Sequence, residues 1–158
     1  MRARNIDHVT LSVRDIDEAT TFFHKAFGAK VIVDDPHEGM PVGGSVNEAV
    51  FGMPRGAVWT HRRVLAIGPS HLEMFQFVTD HQQRAAHSYD LGLAHFAIYV
   101  DDLAQAAHDF KTAGGKMYPT YGPTGLASTI YPHQGWAYGE TPWGTVVEMV
   151  TFREISNQ

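Results

Sequence analysis

The apolar positions of this chain change period along its length, and the changes divide it into two similar runs. In Ile6 to Val13 (IDHVTLSV), Val9, Leu11 and Val13 alternate with His8, Thr10 and Ser12, the period of a strand with one apolar and one polar face. From Asp15 the period lengthens. Ile16, Ala19, Phe23 and Ala26 share a helical stripe, Asp15 and Glu18 stand as a capping pair, and Gly28 is placed to stop the helix. A second strand is expected over Ala29 to Val33. Asp34 to Gly56, rich in proline and glycine with a short helical piece around Val46 to Phe51, reads as a long loop and a candidate lid over a site. Ala57 to Ile67 and His71 to Val78, parted by Gly68, Pro69 and Ser70, read as an antiparallel hairpin. In its second arm Leu72, Met74 and Val78 alternate with His71, Glu73, Phe75 and Phe77, which sets one glutamate among aromatic residues.

Thr79 to Gly92 (TDHQQRAAHSYDLG) is polar and reads as a linker, after which the opening pattern returns in Leu93 to Val100 (LAHFAIYV). His95 lies 87 positions after His8, and at that offset Val13 meets Val100, Asp15 meets Asp102, Phe23 meets Phe110 and Gly28 meets Gly115. Agreement at strand, cap, helix and stop together marks an internal repeat. Asp102 and Gln105 repeat the capping pair; Leu103, Ala106, Phe110 and Ala113 repeat the stripe. Lys116 to Pro119 is the matching second strand and Thr120 to Pro132 the matching long loop. Gln134 to Glu140, a turn at Thr141 to Gly144, and Thr145 to Phe152 form the closing hairpin, with VVEMVTF over HLEMFQF so that Glu148 takes the place of Glu73. The expected organisation is one structural domain of two modules: residues 1–78, a linker over 79–92, a second module over 93–152 and a polar tail over 153–158.

Composition narrows the chemistry. Of 158 residues, 44% are hydrophobic and 18% charged, values of an ordered globular chain. A net charge of −5, with no basic run longer than Arg62 and Arg63, argues against nucleic acid or an anionic membrane and for a small-molecule partner. The absence of cysteine removes disulfides, thiolate metal sites and cysteine nucleophiles. No apolar run approaches membrane-spanning length and no signal core follows the N-terminus, so a cytoplasmic location is expected. Ten histidines invite a metal hypothesis, but several, such as His24, His81 and His87, read as surface residues.

A lone strand histidine is more often a hydrogen-bonded core or rim residue than a ligand, and either glutamate alone is readable as a solvated edge carboxylate. What sets four residues apart is that each module offers one histidine on its first strand and one glutamate on its last. Were those strands neighbours, about 4.8 Å apart, side chains on a common face would reach one centre. Two modules side by side would then supply His8, Glu73, His95 and Glu148 to one divalent ion, a nitrogen and oxygen set suited to Zn, Ni, Co, Mn or Fe(II) without selecting among them.

The two copies of strand, helix and three strands carrying these four residues resemble the vicinal oxygen chelate superfamily, which includes glyoxalase I, methylmalonyl-CoA epimerase, extradiol dioxygenases and the fosfomycin and bleomycin resistance proteins. The resemblance runs from about Ile6 to Phe152. It implies an α+β fold in which two βαβββ modules form an eight-stranded cup-shaped sheet around a metal, with the family's ligands at those four positions. The closing YGETPWGTVVEMV is similar to the family's turn before its last glutamate, although the family more often has aspartate where Thr141 stands.

Ligand number then separates the activities. A site of two histidines and one glutamate leaves three octahedral positions for a catechol and oxygen; Glu73 as a fourth ligand leaves two, which suit a bidentate hydroxycarbonyl. The expected activity is a metal-dependent lyase, isomerase or epimerase of the glyoxalase type, with Glu148 or Glu73 as the base that moves a proton next to a carbonyl. The alternatives are an Fe(II) ring-cleaving dioxygenase using His8, His95 and Glu148, and a binding protein of the resistance type without chemistry. His71 is a rim histidine or an acid/base group, and Tyr121, Tyr131, Trp136 and Tyr138 line a cavity or pack a wall. Arg55, Arg62 and Arg63 are solvated or hold an anionic substrate tail. A homodimer is expected, since in relatives the two modules of one cup come from one chain or from two.

Overall fold

The structure, a computed structural model, describes residues 4–37, 43–54, 56–121 and 134–152. Its elements run β1 (His8–Val13), α1 (Ile16–Phe27), β2 (Lys30–Pro36), α2 (Ser45–Phe51), β3 (Val58–Ile67), β4 (Ser70–Val78), β5 (Phe96–Tyr99), α3 (Leu103–Thr112), β6 (Lys116–Tyr121), β7 (Gln134–Glu140) and β8 (Val146–Phe152). The fold is therefore α+β with two copies of strand, helix and three strands, the first copy holding the additional helix α2. The chain divides into two compact units, Met1–His24 with Gly28–Gln83, and Lys25–Phe27 with Arg84–Gln158. No helix of the described residues is long and apolar enough to cross a membrane.

In the first unit the strand order is β1-β4-β3-β2, with β1 and β4 parallel and the remaining pairs antiparallel. Alternation sorts the side chains. Leu11, Val13, Leu72, Met74 and Leu65 lie in the core, where α1 lays Ile16, Ala19, Phe22 and Phe23. Each of the larger side chains contributes about 1.5–3 kcal/mol by leaving water. Asp15 caps α1 by accepting from the amides of Asp17 and Glu18. Gln76 of β4 accepts the Ile16 N–H at 3.0 Å, which ties the start of the helix to the sheet. The helix ends at Gly28, at φ 65°, where glycine meets no steric penalty.

Arg63 joins the helix to β2. Buried in the core face of β3, it donates from Nε to Asp34 at 2.7 Å and from Nη1 to Asp17 at 2.7 Å and Thr20 at 2.9 Å. Its hydrogen bond, with that of His61 second, holds the Asp34 carboxyl below the usual carboxylate range. Neither alternative weighed for Arg63, a solvated side chain or an anchor for an anionic tail, describes it: its guanidinium is buried and used up inside the unit.

The second unit repeats the order as β5-β8-β7-β6, again with one parallel pair, β5 to β8. Ala106 and Phe110 of α3 pack on Val147 and Met149 of the sheet side, all deeply buried, and Asp102 accepts from the Gln105 amide as the cap. The stop differs from its counterpart. The helix closes at Ala113, the positive φ of 107° falls on Gly114, and Gly115 is needed for room, since a Cβ there would lie 2.2 Å from the Phe110 ring. In the β7–β8 turn Thr141 is buried, and its Oγ1 accepts the Thr145 N–H at 2.9 Å. A hydroxyl oxygen there does the work of a carboxylate oxygen.

Several expected boundaries move. β1 begins at His8, not Ile6, and β5 covers only Phe96–Tyr99 instead of Leu93 to Val100, because its ladder with β8 spans Phe96↔Val147 to Tyr99↔Val150. β2 continues past Val33 to Pro36, paired along β3 as far as Pro36↔His61, so the long loop begins later. β6 extends past Pro119 to Tyr121, paired with Ala137. Arg55, Tyr131 and the tail over 153–158 lie outside the described residues, and of Tyr121 only the strand position is described.

Candidate functional site

In each unit the parallel strand pair brings the expected histidine beside the expected glutamate. In the first, the register sets Thr10 opposite Glu73 and His8 opposite His71, all on the face turned away from α1. His8 Nε2 stands 3.5 Å from Glu73 Oε2. Its other ring nitrogen, Nδ1, is 2.8 Å from Asp7 Oδ2; with Nδ1–H donating there, the lone pair of the neutral ring is on Nε2, toward the glutamate. The same bond leads in holding the Asp7 carboxyl below its ordinary value. Glu73 is largely covered and heavily engaged: Thr10 Oγ1 donates to Oε2 at 3.0 Å and Arg62 Nε donates to Oε1 at 2.6 Å. Arg62, like Arg63, is thus committed within its unit. His71 is exposed.

In the second unit His95 Nε2 stands 3.2 Å from Glu148 Oε2. His95 lies just ahead of β5, in irregular backbone and not in the strand. Tyr138, directly across the ladder from Glu148, donates its phenol to that carboxylate and meets the His95 ring edge-on at 5.3 Å. Burial first, then the bond to Glu148 and its charge, push the Tyr138 phenol up to about 12. It is therefore a hydrogen-bond donor at neutral pH. Tyr138 thus serves the glutamate, and Trp136, two residues back, shares its face of β7 and is partly exposed.

Both pairs have the separation of two ligands on one ion. Donors about 2.1 Å from a common metal stand about 3.0 Å apart at a right angle and about 3.4 Å apart at the tetrahedral angle. An imidazole lone pair and a carboxylate oxygen at 3.2 to 3.5 Å repel unless a proton or a cation lies between them. Metal ligands commonly have such surroundings, a histidine donating its second N–H to a carboxylate and a carboxylate that is itself hydrogen-bonded; here His8 meets Asp7, Glu73 meets Arg62 and Thr10, and Glu148 meets Tyr138. Each unit brings one such pair; no group of three or more His, Asp or Glu side chains that could hold a metal is found among the described residues. Asp7 and Thr10 went unnoticed in the sequence, although Thr10 shares the polar parity of His8 and the rule that ligands need partners would have pointed to both.

Known proteins match the chain along most of its length. The family model described as the Glyoxalase/Bleomycin resistance protein/Dioxygenase superfamily matches residues 5–149. A 2-epi-5-epi-valiolone epimerase of Actinomyces sp is 28% identical over 151 residues, covering 92% of this chain and 78% of that protein. Among solved structures, a glyoxalase family protein from Bacillus cereus superposes with a TM-score of 0.74 at 16% identity over 96% of both chains. A variant of the fosfomycin resistance protein FosX from Listeria monocytogenes, in complex with Mn(II) and 1S,2S-dihydroxypropylphosphonic acid, gives a TM-score of 0.59 at 16% identity over 94% of this chain and 90% of that one. The repeated module, the strand order in both units and the match over residues 5–149 have one conclusion: the chain belongs to the Glyoxalase/Bleomycin resistance protein/Dioxygenase superfamily.

Proposed function

We propose that the chain is a metal-dependent epimerase or isomerase of the glyoxalase type, acting on a small α-hydroxycarbonyl compound, in which His8, Glu73, His95 and Glu148 hold one divalent ion. The observation that carries this is the matched pair of contacts, His8 to Glu73 at 3.5 Å and His95 to Glu148 at 3.2 Å, each fitting two donors of one ion. The epimerase relative supports an isomerase class over a lyase. One pair from each unit completes the protein ligands, within one chain or across a homodimer. When bound, the ion polarises the substrate carbonyl and stabilises the charge that grows on its oxygen. Glu148 is the base. Its only described partners are the Tyr138 phenol and His95, whereas Glu73 is held at both oxygens by Arg62, Thr10 and His8 and is suited to stay in place. Glu148 takes the proton from the carbon next to the carbonyl, with Tyr138 keeping the carboxylate oriented, and epimerisation follows when a proton from solvent is delivered to the opposite face of that carbon.

Metal content of protein purified without a histidine tag, with NMR of proton exchange on α-hydroxyketones in D2O, tests the proposal. About one ion per chain and exchange at that carbon are expected, both lost in Glu148→Ala; a chain that takes up no metal, or exchanges equally without Glu148, overturns it.

One observation favours a second assignment. The 2.6 Å ion pair with Arg62 suits a Glu73 that orders the wall and leaves the metal to His8, His95 and Glu148, the ligand set of an Fe(II) ring-cleaving dioxygenase. Oxygen uptake with catechols that survives Glu73→Ala would establish it.

A further inference from the structure

The face of the first sheet that carries Glu73 continues into an aromatic wall. Alternation along β4 sets Phe75 and Phe77 on that face, and the ladder to β3 adds Arg62 opposite Phe75 and Trp59 opposite Phe77. Phe75 lies two residues, about 7 Å, along the strand from Glu73. Trp59 meets Phe75 edge-on at 5.5 Å, and Phe75 stacks on Phe77 at 5.6 Å. Phe51, at the end of α2, leans on Phe75 at 6.2 Å while remaining half exposed. Trp59 is only 8% exposed, and its indole N–H, wholly out of solvent, has no hydrogen-bond partner among the described residues. Burying such a donor unpaired costs about 1–3 kcal/mol, and folded proteins rarely leave one without a partner. The cover is short: α2 is a seven-residue helix set between Gly44 and Gly52, both in the left-handed region at φ 69° and 63°.

We propose that Trp59, met edge-on by His37, and Phe75, under Phe51, form a substrate subsite beside the His8–Glu73 pair that takes the ring of a polyhydroxylated cyclic ketone, with the Trp59 indole N–H donating to a ring hydroxyl remote from the carbonyl. This rests on the reading of His8 and Glu73 as half of a metal site that chelates a hydroxycarbonyl. The chemistry follows from the wall. The negative faces of aromatic rings pack well against the C–H edges of a saturated ring, and a single N–H among apolar groups rewards one hydroxyl and penalises a ligand that lacks it. Phe51, carried on the glycine-bounded α2, is the side chain that yields when the ring enters. The subsite makes Trp59 a specificity residue, with no part in moving the proton.

Calorimetric titration of the full chain with 2-keto-myo-inositol and with 2-hydroxycyclohexanone tests this, since both are α-hydroxyketones and only the first carries remote hydroxyls. Trp59→Phe is expected to weaken 2-keto-myo-inositol about tenfold, to leave 2-hydroxycyclohexanone unchanged, and not to lower the melting temperature, because it deletes an unpaired donor and keeps an aromatic ring. Equal affinity of wild type and Trp59→Phe for 2-keto-myo-inositol, as when a structural water alone satisfies the indole, overturns the proposal. So does a wild type that fails to bind it, or a variant that loses both ligands and melts earlier. Repeating the titrations after EDTA treatment and in Glu148→Ala separates the two ideas: a Trp59-dependent difference that persists there, in a wild type that takes up no metal, leaves the subsite standing and removes the metal site.

Discussion

Both units bring a histidine beside a glutamate at the parallel strand pair, His8 from within β1 and His95 from just ahead of β5, yet they surround the glutamate differently. Opposite Glu73 stands Val64, and opposite Glu148 stands Tyr138; two residues earlier on the same strands stand Arg62 and Trp136. The first unit thus grips its carboxylate with a cation and a hydroxyl, at 2.6 and 3.0 Å, while the second orients its carboxylate with a neutral phenol. A duplicated scaffold preserves donor geometry through its ladder, whereas the side chains facing and flanking the glutamate are free to diverge. Under the proposed function, that freedom would let one carboxylate specialise in holding and the other in proton transfer.

The largest effect that would break this comparison is on metal uptake. Glu148→Ala and Glu73→Ala should each lower affinity for Mn(II) or Zn(II) by more than about 100-fold, beyond what outer contacts contribute, as read by competition with a chelator. Retained affinity in Glu73→Ala with loss in Glu148→Ala would leave the first unit with a structural carboxylate only. Next are the helix stops, which separate conformation from space. Gly115→Ala should destabilise by about 1–3 kcal/mol through collision with the fully buried Phe110 ring. Gly28→Ala should cost about 1–2 kcal/mol through its positive φ with open space around it. Asn should then rescue position 28 and worsen position 115, as thermal melts would show.

A smaller difference is expected between the glutamates' partners. Tyr138→Phe should weaken metal binding about tenfold. Arg62→Met should weaken it less, because the guanidinium that orients Glu73 also repels the cation it would share the carboxylate with; an Arg62 effect larger than the Tyr138 effect would reverse the assignment of holding and transfer. The smallest is a pH effect confined to the first unit. Since Asp34 titrates lower when folded, its contribution is present above the unfolded value near about 3.9 and disappears as pH falls through the folded value. Asp34→Asn should therefore melt slightly earlier at pH 7 and converge with wild type at the acid end. The effect is modest because the carboxylate is half exposed.

Much of this was legible because strand and helix periods are local. The two-residue period already put His8 and Thr10 on one face and Leu11 and Val13 on the other, and the capping roles of Asp15 and Asp102 follow from short-range chemistry. What local patterns do not contain is the partner. β2 reaches Pro36 because β3 offers paired backbone that far, and β5 is short because β8 meets it over only four residues. Arg62 and Arg63 are neighbours with the same side chain, and only the alternation of β3 against its partners sends one to Glu73 and the other to Asp17 and Asp34. The stop at Gly115 looked equivalent to Gly28 by count, but Phe110 fills the space that decides its role.

The parallel ladders also bear on how the protein acquires its chemistry over time. β1 pairs with β4, not with the sequence-adjacent β2, so the contact that joins His8 to Glu73 spans nearly the whole unit, and β5 with β8 does the same for His95 and Glu148. Pairings of such long separation bear the greatest loop-closure entropy and form after the hairpins that present their partner strands. Each histidine is therefore expected to meet its glutamate late in its unit's assembly, and a chain emerging from the ribosome lacks the His8–Glu73 contact until β4 has been made, and the His95–Glu148 contact until β8 has.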